Sequence, residues 1–339
     1  MKNKIINIAH RGASGYLPEH SLASKALAFG LGADYIEQDL VMTKDDELIV
    51  FHDLYLNFLT NIMDIYPNRS RSDGKYYVID FTFDELQNLK LSERFNIYDN
   101  QKTAKFPDRF PIFYSNFKIH KFSDEIELIL GLNKSMNKNI GIYPEIKYPK
   151  FHRNEGKDIS KKTLEILKKY GFNSKNDKIY LQSFDNNELR RIKNDLFFEF
   201  DLDLKLIQLI GENQWEHNLI NKDNKIYKFQ ENYNQILSKD GLKDISKYCH
   251  GLGINFSMII DKKSIKDKII YTDIVKNIKE YDLDCHIYTL RSDKDQIPNY
   301  ANDFKDLIRI LLKQDIDAIF SDFPDMIPFP NFKVTFVAN

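Results

Sequence analysis

The sequence predicts an α/β protein, a (β/α)8 TIM barrel with a small insertion subdomain between strands two and three. Three observations carry this. Short β-branched runs alternate with longer amphipathic stretches, eight such runs can be counted, and the rhythm breaks once, after the second. Alternation of this kind argues for a parallel sheet, and eight repeats within 339 residues argue for closing that sheet into a cylinder. An open doubly wound sheet is the competing arrangement on pattern alone.

In chain order the predicted strands are 5–9, 35–41, 140–146, 179–183, 204–210, 252–257, 284–289 and 317–321. Apolar residues at helical spacing follow most of them, over 21–31, 123–136, 160–170, 186–195, 273–281 and 302–313. An extra strand is expected at 48–51. The stretch 54–120 is too long for an ordinary connection, so it needs structure or a task of its own. It holds a polar, turn-rich piece at 68–74, the run 76–79 and a short helix at 82–89. Region 211–240, with Trp215 and Tyr227, reads as a lesser excursion over the barrel mouth. The whole of 1–339 is expected to form a single domain, with 54–120 inserted in it.

Bulk properties narrow the classes. Hydrophobic residues make up 42% of the chain, enough for one large core, and the formal charge of −1 gives no electrostatic case for nucleic acid or an anionic membrane. No apolar run reaches the roughly 18 residues of a membrane span, so stable membrane insertion is not expected. Cys249 and Cys285 fit neither a metal spacing nor a disulfide framework and read as buried, reduced thiols. A signal peptide of about 15–30 residues would have to be cut beyond His10, so the chain as written is either cytoplasmic or periplasmic with its leader already removed.

Sites in such barrels sit at the C-terminal ends of the strands. His10 and Arg11 end strand one, Glu37 and Asp39 lie on strand two, His52 follows the extra strand, and Glu145 and Lys147 end strand three. Residues two apart on a strand face the same way, so Glu37 and Asp39 converge while Gln38 points away. Two carboxylates buried without a cation would cost several kcal/mol each. With Glu145 as a third oxygen ligand they suit one divalent cation, Ca2+ or Mg2+, better than zinc. The alternative is a salt-bridged cluster with Arg11 and Lys147.

Two imidazoles on one rim suit a two-step phosphodiester cleavage, one as base and the other as acid. His10 and His52 stand apart because each follows an apolar strand and adjoins a charged residue, Arg11 or Asp53. His20, His120, His152, His217, His250 and His286 are read as structural. Arg11 offers a planar fork and Lys147 a point charge for phosphate. Glu19 either orients His10, binds a substrate hydroxyl or complements a helix dipole. Asp53 either fixes a tautomer of His52 or caps a turn. Gln182, Phe184, Phe256 and Tyr288 lie at later strand ends, where they line a substrate pocket or simply pack. Ser14 lacks the G-x-S-x-G turn of a nucleophile elbow.

These residues carry a resemblance. HRG at 10–12, Pro18–Glu19, E-x-D at 37–39, His52–Asp53, PEIK at 144–147, LQSFD at 181–185, IYTLR at 287–291 and IFSDFPD at 319–325 are together similar to the signature of the glycerophosphodiester phosphodiesterase family. His20, where many members have Asn, resembles the bacterial branch close to periplasmic enzymes. The resemblance implies His10 and His52 as the acid–base pair. It also implies hydrolysis of glycerophosphocholine, glycerophosphoethanolamine and similar small diesters to an alcohol and sn-glycerol 3-phosphate, through a cyclic phosphate. A related barrel phospholipase cleaving intact lipid, and a surface binding protein, are the alternatives. The expected partner is a small-molecule substrate, and the expected state a monomer or homodimer.

Overall fold

The computed structural model describes residues 4–327 apart from 100, 214–216, 221, 223–224 and 230; the side chains of 217–218 and 227–229 also lie outside the described residues. Eight parallel strands close a barrel: β1 (Ile6–Ala9), β2 (Tyr35–Met42), β6 (Gly141–Ile146), β7 (Tyr180–Ser183), β8 (Lys205–Ile210), β11 (Gly251–Asn255), β12 (Asp284–Leu290) and β13 (Ala318–Ser321). Each pairs with the next in that order, and β13 pairs back to β1 while β1 also pairs with β2, so no edge is left open. This is the predicted cylinder, not the open sheet. Helices including Leu22–Gly30, Phe122–Ser135, Ile159–Lys169 and Phe304–Leu311 lie between the strands.

The barrel is filled by side chains, as expected of a core and not a pore. Ile8, Tyr35, Tyr143, Tyr180, Ile207 and Phe320 form this inner cluster. Gly141 lies opposite Tyr35 in register, and a Cβ there would sit 2.4 Å from the Tyr35 ring, so only glycine admits that aromatic. The Tyr143 hydroxyl is 2.8 Å from His286 Nδ1, both residues being fully buried. Burial, with Lys279 and Lys205 adding to it, pushes the His286 imidazole down to about 3, so it is neutral and accepts from the tyrosine. A second layer of Ile, Leu and Phe, among them Ile36, Leu40, Ile126, Leu164 and Leu307, packs the helices onto the outside.

β2 shows how both layers are served by one strand. All eight of its residues are buried. Glu37 and Asp39 go to one face, while Gln38 donates to Glu125 Oε1 at 2.7 Å and accepts the Tyr143 N–H at 3.0 Å. Glu125 also bonds His120 Nε2 at 2.9 Å and pairs with Lys25 at 3.1 Å, a sealed polar knot under the helix layer.

β3 (Leu48–Val50) runs antiparallel to β2 as the extra strand. The stretch 54–120 then builds its own core of Leu56, Leu59, Ile62, Tyr77, Phe81 and Leu86 against Val41, Ile49 and Phe151. The run 76–79 becomes a 3-10 turn (Val78–Asp80) because Arg71 clamps the Asp80 carboxylate at 2.7 Å through two nitrogens. The expected helix at 82–89 shortens to Phe83–Leu86, held by a capping box between Thr82 and Glu85. A hairpin follows, β4 (Phe95–Tyr98) with β5 (Gln101–Ala104).

Two further boundaries differ from expectation. β11 stops at Asn255, whose side chain accepts the Ser257 N–H at 3.0 Å and starts a 3-10 turn, so Phe256 leaves the strand and packs on the outer core. The helix expected to end at 195 continues through a π turn to Phe200. Within 211–240 the chain forms the hairpin β9 (His217–Ile220) and β10 (Ile226–Phe229) and the helical turn Tyr233–Ile236. Trp215 and the Tyr227 side chain lie outside the described residues. Cys249 and Cys285 are buried free thiols, and among the described residues no helix is long and apolar enough to cross a membrane.

Tyr143→Phe leaves His286 without its buried partner. It should lower stability by about 1–3 kcal/mol. Urea unfolding at pH 7 checks this, and an unchanged midpoint would remove the pair from the barrel's stability.

Candidate active site

The C-terminal ends of β1, β2, β6 and β13 meet at one rim. His10 follows β1 and ties its backbone N–H to Ser321 O at 3.0 Å. Arg11 and Gly12 then take positive φ values of 60° and 89°. A Cβ on Gly12 would lie 2.3 Å from Ser24 Oγ, so this turn must be glycine to lie on the following helix. The turn aims the Arg11 N–H at Glu37 Oε2, 2.6 Å away. Ser14 donates its hydroxyl to His10 O at 2.7 Å, which agrees with its rejection as a nucleophile.

Three acids face one another. Asp39 and Glu145 are register partners on β2 and β6, and Glu37 lies two residues before Asp39. Lys147 Nζ lies 2.9 Å from Glu145 and 3.5 Å from Asp39, and Arg11 Nε lies 3.3 Å from Asp39. The salt-bridged alternative therefore describes the contacts of the protein as it stands, but it does not satisfy the acids. Burial first, then the Asp39 charge, pushes Glu37 well above the carboxylate range, and burial raises Glu145 to about 8. Asp39 goes the other way: burial opposes ionisation, but Lys147, His52, His20 and Arg11 hold it well below its ordinary value. Two buried acids whose ionisation burial opposes, beside an ionised third, are a donor set short of positive charge, and a divalent cation fits it.

Among the described residues, the group of three metal-capable side chains whose ligand atoms lie within 4.8 Å of one another is His20, Glu37 and Asp39; it includes two of the three expected ligands and leaves out Glu145. His20 is a buried histidine, as expected, and it also borders the acids. Its Nε2 lies 2.8 Å from Asp39 Oδ2, while its Nδ1 is buried with no partner. Burial, then Lys25, lowers its pKa to about 3, so the ring is neutral and carries its proton on Nε2, donating to Asp39. Asp39 is oriented by it in the way outer partners orient metal ligands.

Both candidate catalytic imidazoles are bound through Nδ1 to an aspartate. His52 Nδ1 lies 2.5 Å from Asp53 Oδ1, and His10 Nδ1 lies 2.6 Å from Asp322 Oδ1. Each ring thus has its Nδ1 committed to an aspartate. Burial, reinforced by Arg11, lowers both rings to about 4, so both are neutral near pH 7. Asp53 is therefore a tautomer holder for His52.

The other predicted residues are distributed unevenly. Glu19 neither touches His10 nor caps the helix. It is the counter-ion of two arginines, Arg11 at 2.8 Å and Arg94 at 2.8 Å, which keep it ionised against the cost of burial; Ser21 caps the helix instead. Gln182 is the register partner of Glu145, and its Oε1 is buried without a partner. Phe184 meets Tyr288 edge-on at 6.2 Å, and Lys147 Nζ lies 5.8 Å from the Phe184 ring. The Tyr288 hydroxyl donates to Ile210 O, so its polar end is committed to the barrel.

Four residues of the rim lie outside the predicted set. Asp322 lies in the middle of IFSDFPD and Arg291 ends IYTLR, motifs already recognisable, and Arg291 Nε lies 2.8 Å from Asp322. Arg94 and Arg109 come from 54–120 with no local signature. Arg94 reaches Asp53 at 2.9 Å, and Arg109 reaches Asp322 at 2.8 Å.

Comparison with known proteins gives the family. A profile described as "Glycerophosphoryl diester phosphodiesterase family" matches residues 10–326. The chain is 48% identical to a glycerophosphodiester phosphodiesterase of Haemophilus influenzae over 327 residues, 96% of this chain and 89% of that protein. It is 40% identical to one of Treponema pallidum, over 94% of this chain and 89% of that protein. Among solved structures, an Oleispira antarctica phosphodiesterase in complex with the product sn-glycerol-3-phosphate has the same fold at 21% identity and a TM-score of 0.60, with 94% of each chain covered.

A cation at this cluster would have a signature independent of turnover. An unfolded glutamate ionises near 4.5, whereas folded Glu145 keeps its proton to about 8, so stability is lost as pH rises through that window. The lowered histidines act only below 6.5, their ordinary value. In EDTA the Tm should therefore fall between pH 6.5 and 8, and Ca2+ or Mg2+ should restore it. A Tm that stays level in EDTA over that range counts against the cation.

Proposed function

The chain belongs to the glycerophosphoryl diester phosphodiesterase family and is a phosphodiesterase of that class, and from this premise we propose that it hydrolyses small glycerophosphodiesters, such as glycerophosphocholine and glycerophosphoethanolamine, to an alcohol and sn-glycerol 3-phosphate. One observation carries the reading: two neutral histidines, each held by Nδ1, stand around Arg11 beside three buried acids.

Glu37, Asp39 and Glu145 would hold one divalent cation, Ca2+ or Mg2+, which supplies Lewis acidity at the phosphoryl oxygens when bound. Arg11 and Lys147 bind the phosphate, the Arg11 guanidinium through the N–H groups that its contacts with Asp39 at 3.3 Å and Glu19 at 2.8 Å leave. One histidine Nε2 takes the proton of the glycerol hydroxyl next to the ester. That oxygen attacks phosphorus, and the bond to the head-group oxygen breaks. The other histidine gives its proton to the departing alkoxide. Water then opens the cyclic phosphate with the two roles exchanged. A bound anionic phosphate raises the pKa of the adjacent ring, which lets one of two otherwise neutral histidines serve as acid.

The test is a coupled assay for released glycerol 3-phosphate across head groups. EDTA should abolish release and Ca2+ or Mg2+ should restore it. His10→Ala and His52→Ala should each lower kcat by about 10²–10⁴ with the fold intact. Wild-type turnover in either variant removes that histidine from the pair.

A further inference from the structure

We propose that the β4–β5 hairpin of the insertion is part of the acid–base machinery, with Arg94 and Arg109 as positioning residues, one for each histidine. This deepens the phosphodiesterase reading and rests on it. The two arginines flank the hairpin, and the backbone closes between them where the Lys105 N–H meets Arg94 O at 2.9 Å.

The two halves of the site are built alike. One oxygen of Asp53 binds His52, and the other accepts from Arg94 Nη1 at 2.9 Å. One oxygen of Asp322 binds His10, and the other accepts from Arg109 Nη2 at 2.8 Å. Each guanidinium is anchored beyond its aspartate. Arg94 grips Glu19 through Nε and Nη2 at 3.1 and 2.8 Å. Arg109 grips Asp293 at 2.9 and 2.6 Å, donates to Ser14 O at 3.2 Å and lies over the Phe106 ring at 3.9 Å. The Asp53 and Asp322 side chains keep only 11% and 3% of their surface exposed, which leaves little room for water to take the place of either arginine.

A carboxylate with only a histidine to bind can swing and accept through either oxygen. Pinning its second oxygen fixes the direction in which the first one receives the Nδ1 proton, and so fixes the Nε2 that meets the substrate. The arginine also offsets the negative charge that would otherwise draw a proton onto the ring. Besides its aspartate, His52 faces Arg11, Lys147 and Asp39, and His10 faces Arg11 and Arg291. Arg291 also binds Asp322, so the Arg109 clamp is shared while that of Arg94 is sole among the described residues.

The experiment uses the full chain with Arg94→Gln and Arg109→Gln, and with Arg94→Lys and Arg109→Lys as conservative partners. The glutamine variants should lose about ten- to a hundredfold in kcat with KM little changed, more at Arg94 than at Arg109, and the lysine variants should recover part of it. Nitrogen-15 NMR of the histidines, recorded without substrate, should show the Nδ1–H form weakened at His52 only in Arg94→Gln and at His10 only in Arg109→Gln. Folded variants with wild-type tautomers, or with a change in KM alone, overturn the proposal. The NMR reading needs no turnover. A wild-type protein that releases no glycerol 3-phosphate would defeat the proposed activity, while the tautomers would still decide the role of the hairpin.

Discussion

Acids outnumber what burial allows at one end of this barrel, and the architecture around them follows from that. Glu19, Glu37, Asp39, Glu145 and Asp322 are all buried there. A carboxylate taken out of water must find a cation, a proton or a dense set of donors. Glu19 and Asp322 are answered by arginines, Asp39 by Arg11, Lys147 and His20, and Glu37 and Glu145 by protons. The rim thus carries more buried carboxylate than its side-chain cations answer, an imbalance that one dication in place of two protons would relieve. A site built only for packing would have no reason to carry that imbalance.

The barrel's core explains why the rim can hold such charges in place. Beneath them lies a plug of tyrosines and branched aliphatics with a single buried imidazole bonded inside it. Close-packed interiors deform little. Groups on neighbouring strand ends thus keep their spacing without help from the loops, and the loops are free to supply the counter-charges.

Legibility in the sequence followed the distance over which each relation acts. The eight strands and most helices could be read because period and length are local properties. Glu37 with Asp39, and His52 with Asp53, could be read because a strand places neighbours on known faces. The limits appear where partners are far apart in the chain. Asp322 binds His10 across 312 positions, and Arg109 binds Asp322 across 213. No periodicity announces such a contact, and an arginine in a polar stretch looks like ordinary surface. The partner of His20 is hidden for a related reason: a lone histidine after a turn carries no sign that Asp39 lies 2.8 Å from it. Phe256 illustrates the opposite case, where one cap by Asn255 removed it from a strand that its neighbours suggested.

The alternation along β2 reaches into how the chain finds its fold. Gln38 bonds Glu125 outside the cylinder while Glu37 and Asp39 face inward. Slipping that strand by one residue exchanges the two sides. Both acids would then be driven against Glu125, with Lys25 as the close positive charge there, and a neutral amide would stand where the rim expects charge. Misaligned pairings are thus penalised electrostatically when the helices that carry Lys25 and Glu125 dock on the sheet, and the carboxylates of the rim double as proofreaders of assembly.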